Sequence, residues 1–587
     1  WTWNNIGIGH RRLSIIDLSS DGKQPMISYD KNFVISYNGE VYNFKEIKEK
    51  LIKKGYKFKS RTDSEVVLNS WIEWGQDCIH HFNGMFAFAI FDKRTMKLHL
   101  VRDRYGIKPL YYAQFGKTFV FGSEQKAILE HPLARRELDL KGMLEYFTFQ
   151  NIFTDRTLLK EIKLLPPATI LTIKTSGVNS IKFNSYWDYH FEEPITNVDS
   201  NEYREELVRL IEQAVKRQLV TDVELGSYLS GGMDSGTLTA IASSQLPYIK
   251  TFTCGFDLSS ASGLELVYDE RTKAEAMSAI FKTEHYEMVL KSGDMERCMP
   301  NFSYALEEPR VGQSYPNYYI AGLASKFVKV VLSGAGGDEL FGGYPWRYYR
   351  ASKNSTFENY IKEYYSYWQR LLKSSDIKKV FSPIWEDVKD VSTISIFKNI
   401  FTNHKNELES PEDYINHSLY FEAKTFLHGL FIVEDKLSMA HGMETRVPFM
   451  DNELVDFAMK CPVNLKINNL SKITEMDENT EMKEKKYFQK TNDGKQILRD
   501  SMKKFIPASI TNSVKQGFSS PDSSWFKGES IDFVKSNLFD NNSQIYNYVD
   551  FKTTTNLINE HLDGKKNRRL LIWSLLNTEE WIKNYIK

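Results

Sequence analysis

A short loop rich in glycine and serine, at residues 230–235, constrains the fold of this chain more than any other stretch. It reads Ser-Gly-Gly-Met-Asp-Ser, follows the strand-like run Val223–Leu229, and precedes Gly236–Ser244, whose small apolar residues are typical of a helix start. Glycines let a backbone approach a ligand, and a helix N-terminus favours negative charge. The sequence therefore predicts an anion site here rather than a plain glycine-rich turn.

The side chains of this loop narrow down the anion. The loop has no lysine, so it differs from the nucleotide-binding loop that ends in Gly-Lys-Ser or Gly-Lys-Thr and holds the β- and γ-phosphates. One aspartate and two serines instead suit a pyrophosphate group with its metal ion.

Composition sets outer bounds on the function. A length of 587 residues predicts at least two domains. Basic and acidic residues both number 76, so the net charge is zero and no bulk field attracts nucleic acid. Apolar stretches such as Met85–Phe91 are too short to span a membrane. The cysteines form no CxxC pair, which favours a reduced, cytoplasmic setting. They are Cys78, Cys254, Cys298 and Cys461.

The first part of the chain, up to about residue 175, alternates short apolar runs with turn signals, which predicts an antiparallel sheet domain. The segment Asp155–Tyr186 is predicted to close this domain with a pair of strands, and the polar segment His190–Ser200 is the predicted linker. The domains are accordingly placed at 1–190 and 200–587. The clearest elements of the first domain are the strands Phe33–Tyr37, Met85–Phe91, Leu98–Arg102 and Thr118–Gly122 and the helices Phe44–Gly55 and Asp63–Gly75.

The second domain alternates strands with helices, which is the pattern of a parallel sheet in an α/β domain. A second glycine-rich block, Ser333–Tyr344, follows the short strand Lys329–Leu332. Because ligands bind at the carboxyl ends of strands in such sheets, the loops after Leu229, Phe256 and Leu332 are expected to converge on one site. Other predicted elements are the helix Tyr203–Leu219, the strand Lys250–Phe256, the helix Arg271–Phe281, the strand Tyr286–Leu290 and a helix through Ala321–Lys326.

Several blocks of the first domain resemble the glutaminase domain of class II, or N-terminal-nucleophile, glutamine amidotransferases. They occur in the family's order and are His10–Ile15, Tyr37–Asn43, Thr62–Glu65 and Arg102–Tyr112. The resemblance implies that Arg12 clamps the α-carboxylate of glutamine and that Asp63 and Glu40 hold its α-ammonium group. It also implies that Asn38 and the Gly39 N–H form the oxyanion hole of the reaction.

The sequence departs from this family at its start. The family's nucleophile is an amino-terminal cysteine whose own α-amine serves as the base, whereas residue 1 of this sequence is Trp1 and falls inside the family pattern. Cys78 lies after the second helix, in the wrong place for that role. The glutaminase half of the chain as given is therefore expected not to hydrolyse glutamine.

The loop at residues 230–235 resembles that of the PP-loop ATP pyrophosphatases, and further blocks resemble the synthetase domain of asparagine synthetases. These blocks are Asp269–Glu270, Ser333–Tyr344, Arg446–Asp451, Lys495–Arg499 and Lys515–Phe518. The resemblance implies an α+β N-terminal-nucleophile sandwich followed by an α/β parallel-sheet PP-loop domain. It also implies ATP and Mg²⁺ as cofactors, glutamine or ammonia as the nitrogen donor, and a small carboxylate, most simply aspartate, as acceptor. A homodimer is compatible with it.

The same resemblance assigns roles within the second domain. Asp234 and Asp338 are the candidate magnesium ligands, and Cys254 with its strand would contact adenine. Lys495 would neutralise charge that builds up on the phosphates. Without the family resemblance, Lys495 would instead be interpreted as a solvated lysine at the start of a helix. The predicted ATP-binding residues are Leu229, Ser230, Gly231, Gly232, Asp234, Ser235, Cys254, Ser333 and Gly334.

A second departure concerns the acceptor. Many asparagine synthetases carry Glu or Asp at the position of Ala335, placed to take a proton from the attacking ammonia, and alanine has no group for this task. An amidotransferase of the same family that acts on another carboxylate, such as a uronic acid, is therefore the alternative function. Four distinctive residues near this site are candidates for recognising such an acceptor, namely Glu308, Arg310, Tyr344 and Arg347. A charged segment at Asn468–Asp493 is predicted to be a mobile insertion.

Overall fold

The computed structural model describes residues 1–175, 181–195, 199–261, 265, 268–348, 356–403, 408–469, 493–513 and 520–586. Most of the insertion predicted at Asn468–Asp493, the segment Lys515–Phe518 and three residues of the predicted linker lie outside these ranges. Among the residues that are described, no helix is both long and apolar enough to cross a membrane.

Sixteen strands form four sheets in the described part of the chain. In chain order they are Thr2–Trp3 (β1), Ile6–Gly7 (β2), Met26–Ile27 (β3), Phe33–Val41 (β4), Gly84–Asp92 (β5), Lys97–Arg102 (β6), Tyr111–Phe115 (β7), Thr118–Gly122 (β8), Ile162–Leu164 (β9), Thr169–Lys174 (β10), Ile181–Ser185 (β11), Leu225–Tyr228 (β12), Lys250–Phe256 (β13), Glu284–Leu290 (β14), Val330–Leu332 (β15) and Glu444–Arg446 (β16).

The α-helices of the described residues lie mostly in the second half of the chain. They are Phe44–Lys53 (α1), Asp63–Trp74 (α2), Gln125–Leu129 (α3), Leu140–Phe149 (α4), Ser200–Gln218 (α5), Met233–Gln245 (α6), Arg271–Phe281 (α7), Ser292–Leu306 (α8), Tyr315–Ala324 (α9), Gly337–Phe341 (α10), Pro345–Tyr348 (α11), Phe357–Trp368 (α12), Ser374–Val380 (α13), Trp385–Val388 (α14), Thr393–Asn399 (α15), Pro411–Glu422 (α16), His428–Met439 (α17), Asn452–Lys460 (α18), Val463–Lys466 (α19), Gln496–Met502 (α20), Ala508–Thr511 (α21), Asp522–Trp525 (α22), Ile531–Leu538 (α23), Phe551–Leu562 (α24) and Arg569–Tyr585 (α25).

The N-terminal domain is built on an antiparallel sheet of six strands, in the order β11-β10-β6-β5-β4-β3. Successive side chains of a strand point to opposite faces, so β5 feeds two cores. Phe88 faces the helices and packs edge-on against Trp71 of α2, with ring centroids 5.9 Å apart. Ala89 and Phe91 face the other way, into a cluster that includes Tyr112 of the three-stranded sheet β8-β7-β9. The predicted sandwich is thus confirmed.

The C-terminal domain contains a parallel sheet of five strands, in the order β14-β13-β12-β15-β16. Chain order therefore reverses between β12 and β15, because the chain first moves outward on one side of β12 and then returns to its other side. In parallel α/β sheets the crevice outside such a switch point is where ligands bind. This topology confirms the predicted α/β class.

Most predicted elements of both domains are confirmed, several with the same bounds. These include the strands β8 and β13 and the helix α7. Two predictions were wrong in detail. The segment Asp155–Tyr186 holds three strands rather than two, and α6 begins at Met233 rather than at Gly236.

Candidate active site

The loops that follow β12 and β15 meet in a single large cavity at the switch point of the parallel sheet. The cavity has a volume of about 910 Å³. Its walls come from both glycine-rich blocks, from β13, from α17 and from the start of α20. Every residue that the sequence assigned to ATP lines it, namely Leu229, Ser230, Gly231, Gly232, Asp234, Ser235, Cys254, Ser333 and Gly334. The expected convergence of the loops is confirmed.

The first loop is held open by its own hydroxyl groups. The Ser230 N–H donates to Ser235 Oγ over 3.1 Å, and the Gly232 N–H donates to Ser230 Oγ over 3.4 Å. Gly231 has a φ of 76°, and a Cβ there would lie 2.9 Å from the Cβ of Lys273, so a larger residue would be strained and crowded. Because α6 begins at Met233, Asp234 and Ser235 belong to its first turn.

Two carboxylates and one lysine meet beside this loop. The Nζ of Lys495 lies 2.5 Å from Oδ2 of Asp234 and also forms an ion pair with Asp338 in the first turn of α10. Lys495 is 3% exposed and has a left-handed φ of 58°. Lys495 is therefore not a solvated lysine, which is what the sequence would predict if the family resemblance were left aside. The fold thus brings Asp234, Asp338 and Lys495 into contact, although they are far apart along the sequence.

Glycines leave the space that these carboxylates occupy. A Cβ on Gly337 would lie 2.7 Å from Oδ1 of Asp234. A Cβ on Gly343 would overlap Oδ1 of Asp338 and lie 2.7 Å from Cε of Lys495. Carboxylate oxygens are the ligands that Mg²⁺ prefers, so Asp234 and Asp338 would suit a hard cation, which would supply positive charge at this end of the cavity. A larger residue at Gly337 or Gly343 would therefore displace the carboxylate of Asp234 or of Asp338.

The adenine candidate and the second glycine-rich block lie on the other walls of the cavity. Burial raises the pKa of the Cys254 thiol to about 12, so this side chain is a neutral, small apolar group at neutral pH. Ser333 is anchored through its N–H, which donates to the Arg446 carbonyl over 2.8 Å. A Cβ on Gly334 would lie 3.0 Å from the Cβ of Asp234, so the two glycine-rich blocks are in close contact.

Of the four residues proposed to read an unusual acceptor, two line the cavity and two do not. Tyr344 and Arg347 line it, with the Arg347 guanidinium 3.8 Å from the centre of the Tyr344 ring. Glu308 and Arg310 instead form a fully buried ion pair, with Arg310 Nε 3.1 Å from Glu308 Oε1. Arg310 also donates to the Ile152 carbonyl over 3.1 Å, so this pair fastens the second domain to the first.

Two further carboxyl groups in the cavity escaped the sequence reasoning. Burial raises the pKa of Glu434 on α17 to about 7, and burial together with Asp338 raises the pKa of Glu339 on α10 to about 8. Glu339 stands inside a block that the resemblance covers and was passed over. Glu434 had no local signal, because α17 is apolar on most sides and shows little amphipathic periodicity.

The predicted glutamine site lies in the first domain, at the end of β4 and the start of α2. Asp63 Oδ2 accepts from the Tyr37 hydroxyl over 2.7 Å and from the Val41 N–H over 3.0 Å. Burial raises the pKa of Asp63, and burial together with Asp63 holds the pKa of Glu40 well above its ordinary value. Two buried carboxyls that disfavour each other's charge would gain from an ammonium group between them.

The remaining predicted glutamine residues lie on β4 and in the segment before β3. Gly39 has a φ of 149°, and a Cβ there would lie 2.6 Å from the Cα of Phe86, so only glycine fits. The Asn38 amide lies 3.5 Å from Ser123 Oγ. Arg12 donates to the carbonyls of Ile16 and Asp17 over 2.8 and 2.6 Å, which fixes its guanidinium at the edge of the loop before β3.

Comparison with known proteins agrees with both halves of this architecture. The family model for asparagine synthase matches residues 206–583, and that for the glutamine amidotransferase domain matches residues 1–187. The chain belongs to the asparagine synthase family. It is accordingly an ATP-dependent carbon–nitrogen ligase that carries a glutamine amidotransferase domain.

Three relatives illustrate how similar the asparagine synthase family members are. Asparagine synthetase (glutamine-hydrolyzing) 3 of Bacillus subtilis is 31% identical over 80% of this chain and 76% of its own length. Asparagine synthetase (glutamine-hydrolyzing) 1 of the same organism is 28% identical over 98% of this chain and 89% of its own length. A putative asparagine synthetase (glutamine-hydrolyzing) 2 of Methanocaldococcus jannaschii is 33% identical over 71% of this chain and 79% of its own length.

In this asparagine synthase family member, a chain of buried charges runs from Glu40 of the predicted glutamine site into the second domain. Arg446 Nη2 lies 3.5 Å from Glu40 Oε1, and its Nε lies 3.0 Å from Glu444 Oε1. Lys108 of the first domain follows, with its Nζ 3.8 Å from Glu444 Oε2 and 2.9 Å from Asp435 Oδ1. All five side chains are buried. We call these residues the interdomain charge chain.

Proposed function

We propose that this ligase amidates the side-chain carboxylate of aspartate through an acyl-adenylate, with ATP and Mg²⁺ and with glutamine or ammonia as the nitrogen donor. The observation that carries the proposal is the arrangement of Asp234, Asp338 and Lys495 at the switch point, between two glycine-rich loops. A carboxylate pair with one buried lysine suits the pyrophosphate end of ATP.

The pyrophosphate end of the nucleotide would lie on the first loop. Ser230, Gly232 and Ser235 offer N–H and hydroxyl groups at the start of α6, where the helix dipole favours negative charge. Asp234 and Asp338 would hold magnesium, which supplies positive charge for the phosphate oxygens. Lys495 then turns from these carboxylates toward the leaving pyrophosphate and stabilises its growing charge.

The reacting end of the nucleotide would lie at the second glycine-rich block. Ser333 and Gly334 line the cavity on the side facing Asp234, which suits contact with the α-phosphate and the acyl group. A carboxylate oxygen of the acceptor attacks the α-phosphorus, and pyrophosphate leaves. Ammonia then attacks the acyl carbon, a C–N bond forms, and AMP leaves with the carboxylate oxygen. Cys254 would contact the adenine ring.

The first domain is proposed to hold a glutamine-binding site. Arg12 is proposed to bind the α-carboxylate of glutamine, and Asp63 with Glu40 its α-ammonium group. The buried carboxyl pair supports this assignment, since a cation relieves their mutual repulsion. Asn38 and the Gly39 N–H are proposed as the oxyanion hole.

A second candidate is the amidation of a different carboxylate, such as a uronic acid. Two observations favour it, namely the alanine at position 335 and the aromatic–guanidinium wall formed by Tyr344 and Arg347. Arg347 also forms an ion pair with the buried Glu422, 3.4 Å away, so this wall offers a ring face and a guanidinium already balanced by a carboxylate, which suits a larger, hydroxylated acceptor.

The test is exchange of labelled pyrophosphate into ATP by this chain with magnesium and one acceptor at a time. Exchange with aspartate, and asparagine formed after adding ammonium, would support the first candidate. Exchange with uronic acids but not with aspartate would support the second. Absence of exchange with every carboxylate tried, in a chain that is folded, would refute acyl-adenylate formation.

A further inference from the structure

The amide-forming step poses a chemical problem in this chain. When ammonia attacks an acyl-adenylate, the new nitrogen carries one proton too many, and a base must remove it before the amide is stable. Ala335 has no side-chain base, although it stands in the block that borders the cavity. Solvent, pyrophosphate or a residue elsewhere in the fold has to take over this task. The inference that follows rests on the proposed function.

Glu434 reaches the same wall of the cavity from another element. It lies on α17, is half-buried, and lines the cavity together with Ser333 and Ala335. The Ser333 hydroxyl donates to the Glu434 carboxylate and in turn accepts the Ala335 N–H over 3.4 Å. The Glu434 carboxylate is thus one hydroxyl group away from the backbone of Ala335, next to the place proposed for the acyl group.

The surroundings of Glu434 suit proton exchange near neutral pH. Burial raises its pKa to about 7, the Ser333 hydrogen bond opposes this shift, and the neighbouring Asp435 carboxylate adds to it. Asp435 is itself neutralised in part by Lys108, 2.9 Å away. The Tyr228 phenol also borders Glu434, and burial raises its pKa above the physiological range, so it stays neutral. A base with a pKa near the working pH is the most effective one.

Burial also raises the pKa of two other carboxyls, those of Glu339 and Asp522, to about 8 and about 7. Glu339 lines the cavity, but its neighbours are Asp338 and Lys495, so it belongs to the pyrophosphate end. Asp522 has a pKa of about 7, but it is held by Ser520 and Tyr315 and is not among the residues that line the cavity. The geometry therefore favours Glu434.

We propose that Glu434 is the general base of the amide-forming step. Its carboxylate accepts one proton from the attacking nitrogen while the C–N bond forms. The C–O bond to the phosphate then breaks, and AMP leaves with that electron pair. Adenylation does not require this proton transfer, so the two half-reactions depend on Glu434 to different degrees.

The experiment separates these half-reactions in the full chain. Parent and Glu434→Gln proteins are compared in pyrophosphate exchange and in amide formation from ammonium, with whichever of aspartate and uronic acids supports exchange in the parent. We expect exchange within about twofold of the parent and amide formation reduced about 100-fold, the lower end of general-base effects. Asp522→Asn is the matched control, since it removes a buried carboxyl of similar pKa outside the cavity.

A second-site variant tests whether the missing charge is what matters. Adding Ala335→Glu to Glu434→Gln restores a carboxylate on the same wall, and we expect it to recover at least about tenfold of the lost amide formation. In the parent, the rate of amide formation per free ammonia should fall below about pH 7, as Glu434 takes up a proton. This fall should disappear in Glu434→Gln and persist in Asp522→Asn.

The outcomes distinguish the inference from the proposed function. A parent chain without exchange would overturn both. Exchange in the parent combined with unchanged amide formation in Glu434→Gln would overturn the inference alone. If Glu434→Gln does not fold, the parent pH profile decides, because a flat profile between about pH 6 and about pH 8 contradicts a base with this pKa.

Discussion

Replacing Lys108 by methionine tests how much the interdomain charge chain contributes to stability. Lys108 is 1% exposed and lies 2.9 Å from Asp435 and 3.8 Å from Glu444. With an effective dielectric constant of about 20, these distances correspond to attractions of about 6 and about 4 kcal/mol. Desolvation of the three ions offsets most of this. Breaking such a pair from one side costs about 3–5 kcal/mol, because a buried charge is left without its partner.

The sign of the pH dependence follows from the pKa of each group. Burial opposes the charge on Lys108, but Asp435 and Glu444 outweigh it and raise its pKa. The contribution of Lys108 to the free energy of unfolding is therefore complete at every pH below the ordinary lysine pKa, and it is lost only above the raised pKa that Lys108 has in the folded chain. Lys108→Met leaves Asp435 without Lys108, whereas Glu444 keeps its ion pair with Arg446. We therefore expect the difference between parent and variant in the free energy of unfolding to stay constant between about pH 6 and about pH 9, and to narrow only above the ordinary lysine pKa of about 10.5.

The assay is denaturant unfolding, with the free energy taken from the first transition of this two-domain protein. Lys54→Met is the matched control, because Lys54 has a shorter ion pair, 2.6 Å from Glu73, but is 49% exposed. An exposed pair of this kind contributes at most about 1 kcal/mol. Equal losses for Lys54→Met and Lys108→Met, or a difference that narrows between about pH 6 and about pH 9, would refute the reasoning.

Three further predictions concern the cavity. Lys495→Gln should lower the rate of pyrophosphate exchange about 100- to 1000-fold without unfolding the chain, because it removes a cation that stabilises the transition state; an exchange rate near that of the parent would remove Lys495 from the mechanism. Gly343→Ala should weaken magnesium-dependent exchange, since its methyl group overlaps Asp338 Oδ1, and a magnesium titration would show the loss as a raised half-saturation concentration. Cys254 should resist alkylation by iodoacetamide at neutral pH, because burial raises the thiol pKa to about 12; rapid labelling at this position in the folded chain would contradict its burial.

The sequence was most informative where local pattern and packing agree. The strand β13 and the helix α7 have the predicted bounds, because each carries an apolar set with the period of its own backbone. The start of α6 was placed three residues too late. Met233, Asp234 and Ser235 look like loop residues by composition, but acidic and hydroxyl side chains stabilise the first turn of a helix.

The candidate site was predictable as a set of residues but not as an arrangement. The nine ATP candidates line the cavity, since their motifs directly follow strands whose carboxyl ends share one edge of the sheet. Glu434 could not be found in this way. It comes from the middle of a helix without a marked polar face, and only the fold brings it to Ser333. Glu308 and Arg310 were misplaced because their burial depends on a long-range contact, between Arg310 and the Ile152 carbonyl, and not on a local pattern.

The interdomain charge chain also restricts how this protein can be recombined. Glu40 and Lys108 come from one half, while Arg446, Glu444 and Asp435 come from the other, and the pairs Glu40–Arg446, Lys108–Glu444 and Lys108–Asp435 join the two halves. A chimera that grafts the first half of a distant relative onto this second half would remove these partners unless the graft carried glutamate and lysine at the positions of Glu40 and Lys108. The interdomain charge chain thus restricts which first halves can pack against this second half, and we expect substitutions at these positions to occur together in the two halves.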